Sequence, residues 1–178
     1  AAKILAQGGK KVALVENVAL GGTCLNCGCI PTKFLLAATA PGAQLHEHAR
    51  LGVLSGEVKV NLAALQQRKD RFIKGSSATL AKALAATGVT VFTGRGLLAG
   101  PGKVKVEGDT PAEFEAGAVI LAGGSRSAAF PGLTPDGEAV LDSTMLLSLT
   151  EAPKSLLVVG GGAIGLEFGD FFASLGAE

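Results

Sequence analysis

The feature that most constrains the fold is a glycine pattern near one end of the chain. An apolar run at 156–159 leads directly into a GxGxxG sequence at 160–165, and a second apolar stretch follows at 166–175. This order predicts a strand, a tight turn and a helix whose N-terminus binds a dinucleotide pyrophosphate. A plain glycine-rich turn is the alternative. The residues expected to contact the dinucleotide are Gly160, Gly162, Ala163, Ile164 and Gly165.

The other end of the chain carries the complementary part of such a unit. Residues 1–7 have the pattern of a helix that Gly8 and Gly9 end, and an apolar strand at 11–15 follows and ends at Glu16. An acidic residue at the end of a strand is where a dinucleotide-binding unit holds the ribose. An ordinary solvated glutamate is the alternative, but the position of Glu16 just before the cysteine segment favours the ribose.

Composition favours an α/β fold that acts on small molecules. With 16 basic and 15 acidic residues the net charge is +1, so neither a nucleic-acid nor a membrane-surface partner is indicated. The longest charge-free apolar run, 155–166, is shorter than the roughly 20 residues that cross a bilayer. No charged segment with a long apolar core, typical of secretory signals, is found near residue 1. We therefore expect a cytoplasmic protein.

All three cysteines, Cys24, Cys27 and Cys29, lie within six positions. A redox-active pair, a metal site and a structural disulfide are the three alternatives. The structural disulfide is the weakest, because so short a loop contributes only about 2 kcal/mol. Five helical steps rise roughly 7.5 Å, beyond the ~7 Å limit between bridged Cα atoms. A bridge from Cys24 to Cys29 therefore needs a distorted turn, which Gly28 would permit, and strained disulfides are the more easily reduced ones.

The metal alternative would combine the three thiolates with His46 or His48, a ligand set that zinc accepts. It fits the usual zinc spacings loosely and leaves the GxGxxG sequence unexplained. Cytoplasmic clusters of cysteine are more often catalytic or metal-binding than structural. Cys27 is expected to be a small buried filler, with a second disulfide to Cys24 as the alternative.

Between the two ends, periodicity and turn residues predict further elements. The predicted helices are 34–40, ended by Pro41; 62–86, capped by Asn61 and with a solvated face at 68–71; and a short helix to 149, capped by Asp142 or Ser143. The predicted strands are 89–92, 103–106, 114–115, 119–122 and 155–159, of which the second and third form a hairpin.

Together these motifs resemble the class I pyridine nucleotide-disulfide oxidoreductases. The segment 21–33, Gly-Gly-Thr-Cys-Leu-Asn-Cys-Gly-Cys-Ile-Pro-Thr-Lys, is highly specific for that family. Two departures are Cys27 at a variable position and Gly123 where Thr is usual. The resemblance implies an incomplete Rossmann-like FAD-binding domain at 1–150 and the start of an NAD-binding domain at 151–178. It also implies an internal piece of a longer enzyme that forms a homodimer.

The resemblance implies a role for each motif residue. Cys24 would exchange with the substrate disulfide, and Cys29 would lie against the flavin. Lys33, in a buried pair with Glu167, would lie near the flavin as well. From the residues alone, a surface lysine and a solvated glutamate on their helices are the alternatives. Lys33 and a helix N-terminus would lower the thiol pKa. Further FAD contacts are expected from Glu16, Gly22, Thr23, Arg95, Gly96, Gly124 and Ser125.

The resemblance also implies the substrates. Electrons would pass from dihydrolipoamide, carried by a lipoyl domain of a 2-oxoacid dehydrogenase or glycine cleavage complex, through the Cys24/Cys29 disulfide and FAD to NAD. Leu25 and the segment 30–33 favour this substrate over mercuric ion or glutathione disulfide, the alternatives within the family. The family's catalytic His–Glu base belongs to a C-terminal domain of the other subunit. We therefore expect this chain alone to be inactive and to bind FAD weakly.

Overall fold

The computed structural model describes residues 1–128 and 130–178 and has the expected α/β character. The described residues pack as two compact units, one formed by 1–22 with 74–125 and the other by 23–73 with 126–178. The elements in chain order are α1 (Ala2–Gln7), β1 (Ala13–Glu16), α2 (Gly22–Cys27), α3 (Cys29–Arg50), α4 (Leu62–Ala86), β2 (Thr90–Thr93), β3 (Arg95–Gly100), β4 (Lys103–Glu107), β5 (Ala112–Glu115), α5 (Ser143–Leu146) and α6 (Ala163–Ser174).

The first unit contains two small sheets. Strands β1 and β2 are parallel, with Glu16 opposite Thr93 at their carboxyl ends. Strands β3, β4 and β5 form an antiparallel sheet, so the predicted hairpin between β4 and β5 is confirmed. β3 was not predicted, because its glycines indicated a turn rather than a strand. β4 buries Val104 and Val106 on one face, as expected of a half-buried strand.

The second unit has a helical core. Aromatic side chains of α6 dominate it, with the Phe171 and Phe172 rings in an edge-to-face contact at a centroid distance of 5.0 Å. They pack with Leu35 of α3, which is buried as well. The buried residues of this core are Leu35, Leu62, Leu65, Leu147, Phe168, Phe171 and Phe172. Helix α6, which follows the glycine sequence, is thereby fixed against α3.

Helix α4 begins as predicted, because the Asn61 Oδ1 atom accepts a hydrogen bond from the Ala64 N–H at 3.0 Å. The predicted solvated face is wrong at Lys69, which is only 5% exposed. Its ammonium donates to the Gln66 Oε1 atom at 2.6 Å and to the Leu147 carbonyl. The reason is that carbonyls just beyond α5 need donors, and Lys69 reaches them from a neighbouring helix.

The predicted end of the helix at Pro41 is also wrong, because α3 continues through this residue to Arg50. A proline inside a helix removes one backbone donor. Packing of the buried side of α3, at Leu35 and Thr39, offsets that loss. The prediction for α5 holds at its start, where Asp142 accepts hydrogen bonds from two backbone N–H groups, but the helix ends at Leu146.

Two predicted strands, 119–122 and 155–159, are not formed. Both are largely exposed, and Leu157 retains 89% of its accessible surface. Among the described residues neither segment has a partner strand, and the Leu156 N–H instead donates to the Glu178 carbonyl at 2.8 Å. Over the same residues, no helix combines the length and apolar character needed to cross a bilayer.

Candidate active site

The candidate site is built around a helix break at Gly28. α2 ends at Cys27 and α3 begins at Cys29, with Gly28 at φ −135° and ψ −121° between them. A Cβ atom at position 28 would lie 2.8 Å from the Thr23 carbonyl oxygen. Glycine is therefore required by close backbone approach. In one continuous helix Cys24 and Cys29 would be too far apart to pair, and the break at Gly28 removes this obstacle.

Cys24 and Cys29 are exposed free thiols that lie close enough to interact. Hydrogen bonding with the Cys29 side chain is the largest cause of a raised pKa at Cys24, followed by partial desolvation and the charge of Cys29. Backbone hydrogen bonds from Cys29 and Ile30, at the N-terminus of α3, act in the opposite direction. The expectation of a lowered thiol pKa is therefore wrong for Cys24 in this dithiol state, because the second thiol competes for the same proton.

The pair Lys33 and Glu167 joins α3 to α6. The Lys33 Nζ atom donates a hydrogen bond to the Glu167 Oε1 atom, the contact that the family resemblance implied. The expected burial is wrong, since the side chains are 62% and 31% exposed. Lys33 lies one helical turn beyond Cys29 and on the same face of α3. The packing of α6 on α3 thus places an ion pair on the side of α3 that carries Cys29.

Cys27 has different surroundings from the other two cysteines. It is half-buried and packs against the apolar core of the second unit. This contact fits the predicted small filler. His46 and His48 lie on the exposed surface of α3, where the His48 Nδ1 atom is 2.8 Å from the Gln44 carbonyl. Within 1–128 and 130–178, no three or more His, Cys, Asp or Glu side chains form a group that could hold a metal.

In the first unit, Glu16 lies beside the start of β3. Its carbonyl accepts a hydrogen bond from the Gly94 N–H at 3.0 Å, and its Oε1 atom accepts one from the Val18 N–H at 3.0 Å. A Cβ atom at Gly96 would contact the neighbouring Val15 side chain at 3.4 Å. The structure thus brings Glu16 close to the Arg95–Gly96 backbone, two of the predicted FAD contacts.

The other residues predicted to bind FAD are exposed. Gly22 has φ +62° and open space beside its Cα atom, and Thr23 after it is exposed. Gly124 has φ +75° and lies with Ser125 in an exposed segment without regular structure. Positive φ angles favour glycine at both positions and leave the backbone accessible to a ligand.

The GxGxxG sequence adopts a geometry that suits a phosphate. Gly160 has φ +117°, and a Cβ atom at Gly165 would collide with the Gly160 carbonyl oxygen. Gly162 is the N-cap residue of α6 and makes no side-chain hydrogen bond to the first turn. The backbone N–H groups of that turn can therefore donate to a ligand. Ala163 and Ile164 are exposed in that turn. These observations fit an anionic dinucleotide at the N-terminus of α6.

Comparison with known proteins decides the family. Residues 1–178 match the sequence pattern of the family described as "Pyridine nucleotide-disulphide oxidoreductase". The chain belongs to this family. Dihydrolipoyl dehydrogenase of Chlamydia muridarum is 40% identical over 180 residues, which cover 100% of this chain and 39% of that enzyme. The dihydrolipoyl dehydrogenase of Trypanosoma brucei brucei is 41% identical over 178 residues, covering 97% and 37%.

Two solved protein structures superpose closely on the chain. LpdA from Mycobacterium tuberculosis gives a TM-score of 0.85 at 29% identity and covers 99% of this chain and 40% of that one. The HOCl-induced flavoprotein disulfide reductase RclA from Escherichia coli gives 0.82 at 30% identity, covering 99% and 37%. The chain thus spans about two fifths of the length of its relatives. FAD and NAD are the cofactors of this oxidoreductase family.

Two side chains for which the sequence predicted no individual role support these oxidoreductase motifs. Thr32 is buried, and its Oγ1 atom donates to the Gly28 carbonyl at 2.8 Å, which holds the helix break. The Ser77 Oγ atom donates to the Leu20 carbonyl at 3.1 Å and ties α4 to the loop before Gly22. Thr32 could have been found, because threonine commonly bonds the carbonyl four residues back. Ser77 gives no local signal, since its partner is distant in sequence.

Proposed function

We propose that this chain carries the redox-active disulfide of an enzyme that oxidises dihydrolipoamide and passes the electrons through FAD to NAD. The observation that carries the proposal is the contact between the Cys24 and Cys29 thiols across the Gly28 break. The coarser activity, a flavin-dependent disulfide oxidoreductase, agrees with the family. Relatives named dihydrolipoyl dehydrogenase at about 40% identity support the finer one.

The exchange chemistry needs only two protein sulfur atoms. A thiolate of dihydrolipoamide attacks the Cys24 Sγ atom of the Cys24–Cys29 disulfide, and Cys29 leaves as a thiolate. The second substrate thiol then attacks the substrate sulfur of the mixed disulfide, which closes the lipoamide ring and releases Cys24. The substrate has lost two electrons, and the protein holds them as the dithiol seen in the structure. FAD, when bound, supplies a two-electron acceptor for this dithiol.

The environment of each sulfur suits its proposed role. Cys24 has an exposed sulfur that a carrier-bound substrate can reach. The raised pKa of Cys24 favours uptake of a proton by this sulfur once the oxidised substrate is released. A base is needed to form the attacking thiolate of the substrate. Lys33, oriented by Glu167 and one helical turn from Cys29, supplies positive charge near the sulfur that leaves as a thiolate.

Cofactor binding belongs to the same proposal. Glu16, Gly22, Thr23, Gly124 and Ser125 would hold FAD together with the Arg95–Gly96 backbone. NAD would bind at 160–165, with its pyrophosphate on the N-terminus of α6. The division into a FAD-binding domain at 1–150 and an NAD-binding domain beginning at 151 is part of this proposal. A lipoyl domain of a 2-oxoacid dehydrogenase or glycine cleavage complex as the partner, a homodimer and a cytoplasmic location complete it.

A second candidate is a disulfide reductase that runs in the opposite direction. The structural likeness to the Escherichia coli flavoprotein disulfide reductase, with a TM-score of 0.82, favours it. Both candidates use the same cysteine pair. They differ in whether a dithiol or a reduced nicotinamide donates the electrons.

The test uses the natural full-length protein that contains this chain, purified with FAD. Dihydrolipoamide and NAD are supplied, and NADH formation is followed by absorbance. Cys24→Ser and Cys29→Ser should each lower kcat by at least about a thousandfold, since each removes one sulfur of the exchanging pair. The kcat of the matched control, Cys27→Ser, should stay within about twofold of that of the unaltered protein. The proposal is wrong if dihydrolipoamide gives no NADH while NADPH reduces a disulfide, the result expected of the second candidate.

A further inference from the structure

Cys24 has a second cysteine near it in the chain, Cys27, on the same helix α2. Cys24 and Cys27 lie three residues apart on α2 and therefore share one face of that helix. Helix geometry separates their Cα atoms by about 5 Å, inside the roughly 4.4–6.8 Å range of disulfides. Cys27 is the last residue of α2, where a helix end adjusts at least cost.

We propose that Cys27 is a third exchange-competent thiol, which converts the Cys24–Cys29 disulfide reversibly into a Cys24–Cys27 disulfide. The proposal rests on the proposed function, because it starts from the disulfide of that reaction. It assigns Cys27 a role beyond that of a filler. Cys27 packs against the core in the dithiol state and serves as an alternative partner of Cys24 in the oxidised state.

The step is an isomerisation that needs no external oxidant. The Cys27 thiol loses its proton, and its thiolate attacks the Cys24 Sγ atom. The Cys24–Cys27 bond forms, the Cys24–Cys29 bond breaks, and the Cys29 thiolate takes up a proton. The number of disulfides and of thiols is unchanged, so no electrons are gained or lost.

The surroundings of the three sulfurs decide which partner Cys24 takes. Cys29 is exposed and already interacts with the Cys24 side chain across the Gly28 break, so Cys24–Cys29 is the dominant isomer. Cys27 must leave part of its packing against the core to reach Cys24, which makes Cys24–Cys27 the minor isomer. In the minor isomer Cys29 is a free thiol on the face of α3 that carries Lys33. The minor isomer thus withdraws the pair from substrate exchange and restores it on reversal.

The first test maps the free thiol in the oxidised natural full-length protein. Trypsin leaves all three cysteines on one peptide, 12–33, so disulfides cannot be assigned from linked peptides. Free thiols are therefore alkylated in acid, the disulfide is reduced, and a second label marks the released thiols. Fragmentation of the peptide shows which cysteine carries the first label. Label on Cys27 reports the Cys24–Cys29 bond, and label on Cys29 reports the Cys24–Cys27 bond.

The time course supplies the kinetic signature. Protein held at about pH 5 is moved to higher pH, and the first label should appear on Cys29 in a minor but measurable fraction. The initial rate should rise with pH, because only the thiolate form of an attacking cysteine is the nucleophile. First label on Cys27 alone, at every pH and time, overturns the inference and leaves the proposed function intact. First label on all three cysteines overturns the proposed function itself.

A pair of variants gives a second, independent readout. After mild oxidation, Cys29→Ser should form a Cys24–Cys27 disulfide and therefore bind two fewer alkyl groups than after reduction. The matched control, Cys27→Ser combined with Cys29→Ser, has a single sulfur at the site and should bind the same number in both states. Equal alkylation of oxidised and reduced Cys29→Ser protein would contradict the inference.

Discussion

Two apolar segments of similar length behave differently in this chain. Residues 11–15, before Glu16, lie largely in β1 and pair in parallel with β2. Residues 155–159, before the GxGxxG sequence, have no partner strand among the described residues and are largely exposed, although the Leu156 N–H donates to the Glu178 carbonyl at 2.8 Å. The amino-acid pattern is the same in both. The difference is that only the first segment meets a strand that accepts its hydrogen bonds.

The helix after the unpaired segment forms regardless. α6 satisfies its backbone groups internally and packs its phenylalanine face against α3. The candidate site lies on helices α2, α3 and α6, so the cysteine pair and the Lys33–Glu167 contact are formed. The contrast shows that helices can position the side chains of the candidate site where a neighbouring segment has no partner strand.

The largest expected effect comes from the helical side of this comparison. Phe171→Ala should lower the free energy of unfolding of this chain by about 3–5 kcal/mol, because Phe171 is only 1% exposed in the core. Leu157→Ala in the unpaired segment is the matched control and should cost less than about 0.5 kcal/mol. Urea unfolding measures both. Equal losses would show that the unpaired segment is packed after all.

The glycine sequence that follows residues 155–159 gives the next largest effect. Gly165→Val should cost up to about 3 kcal/mol, since its side chain would collide with the Gly160 carbonyl. Gly161→Val adds a side chain where no atom lies within 4 Å and serves as the control. Thermal unfolding compares the two. The interpretation fails if the control loses as much stability as Gly165→Val.

The buried polar contacts of α4 are expected to matter less. Lys69→Met removes donors to the Leu147 carbonyl and to Gln66, and should cost about 1–2 kcal/mol. Arg68→Met, at the neighbouring exposed position, should be neutral within about 0.5 kcal/mol. Urea unfolding distinguishes them. If Arg68→Met lost more stability than Lys69→Met, the buried contacts of Lys69 would not be what stabilises this part of α4.

The smallest effect is a shift in the pH dependence of Cys24. Removing Cys29 removes the leading cause of the raised pKa and leaves the backbone N–H groups of α3 in place. In a Cys27→Ser background, Cys29→Ala should therefore move the alkylation of Cys24 to lower pH. The rate at which iodoacetamide alkylates Cys24, measured as a function of pH, reports the shift. A midpoint that stays in place or moves to higher pH would contradict the assigned cause.

Features with a local physical basis were predictable from the sequence. Asn61 and Asp142 cap their helices as expected, because a side chain near the first turn suffices. The same holds for Glu16 at the end of β1. The Lys33–Glu167 contact came from the family resemblance, since the residues lie far apart in the chain.

Features that depend on distant partners were not predictable. The burial of Lys69 depends on carbonyls near Leu147, and the continuation of α3 past Pro41 depends on packing elsewhere along that helix. The raised pKa of Cys24 depends on how closely the Gly28 break brings Cys29. Hydrophobic pattern alone cannot show whether a partner strand is available to 155–159.

The most direct test of the central claim counts electrons. In a reductive titration of the natural full-length protein with bound FAD, the Cys24/Cys29 pair predicts uptake of twice the electrons that the flavin alone accepts. Cys27→Ser should match the unaltered protein, and Cys24→Ser should accept only the electrons of its flavin. Uptake by the unaltered protein that equals the flavin alone would contradict a redox-active Cys24/Cys29 disulfide.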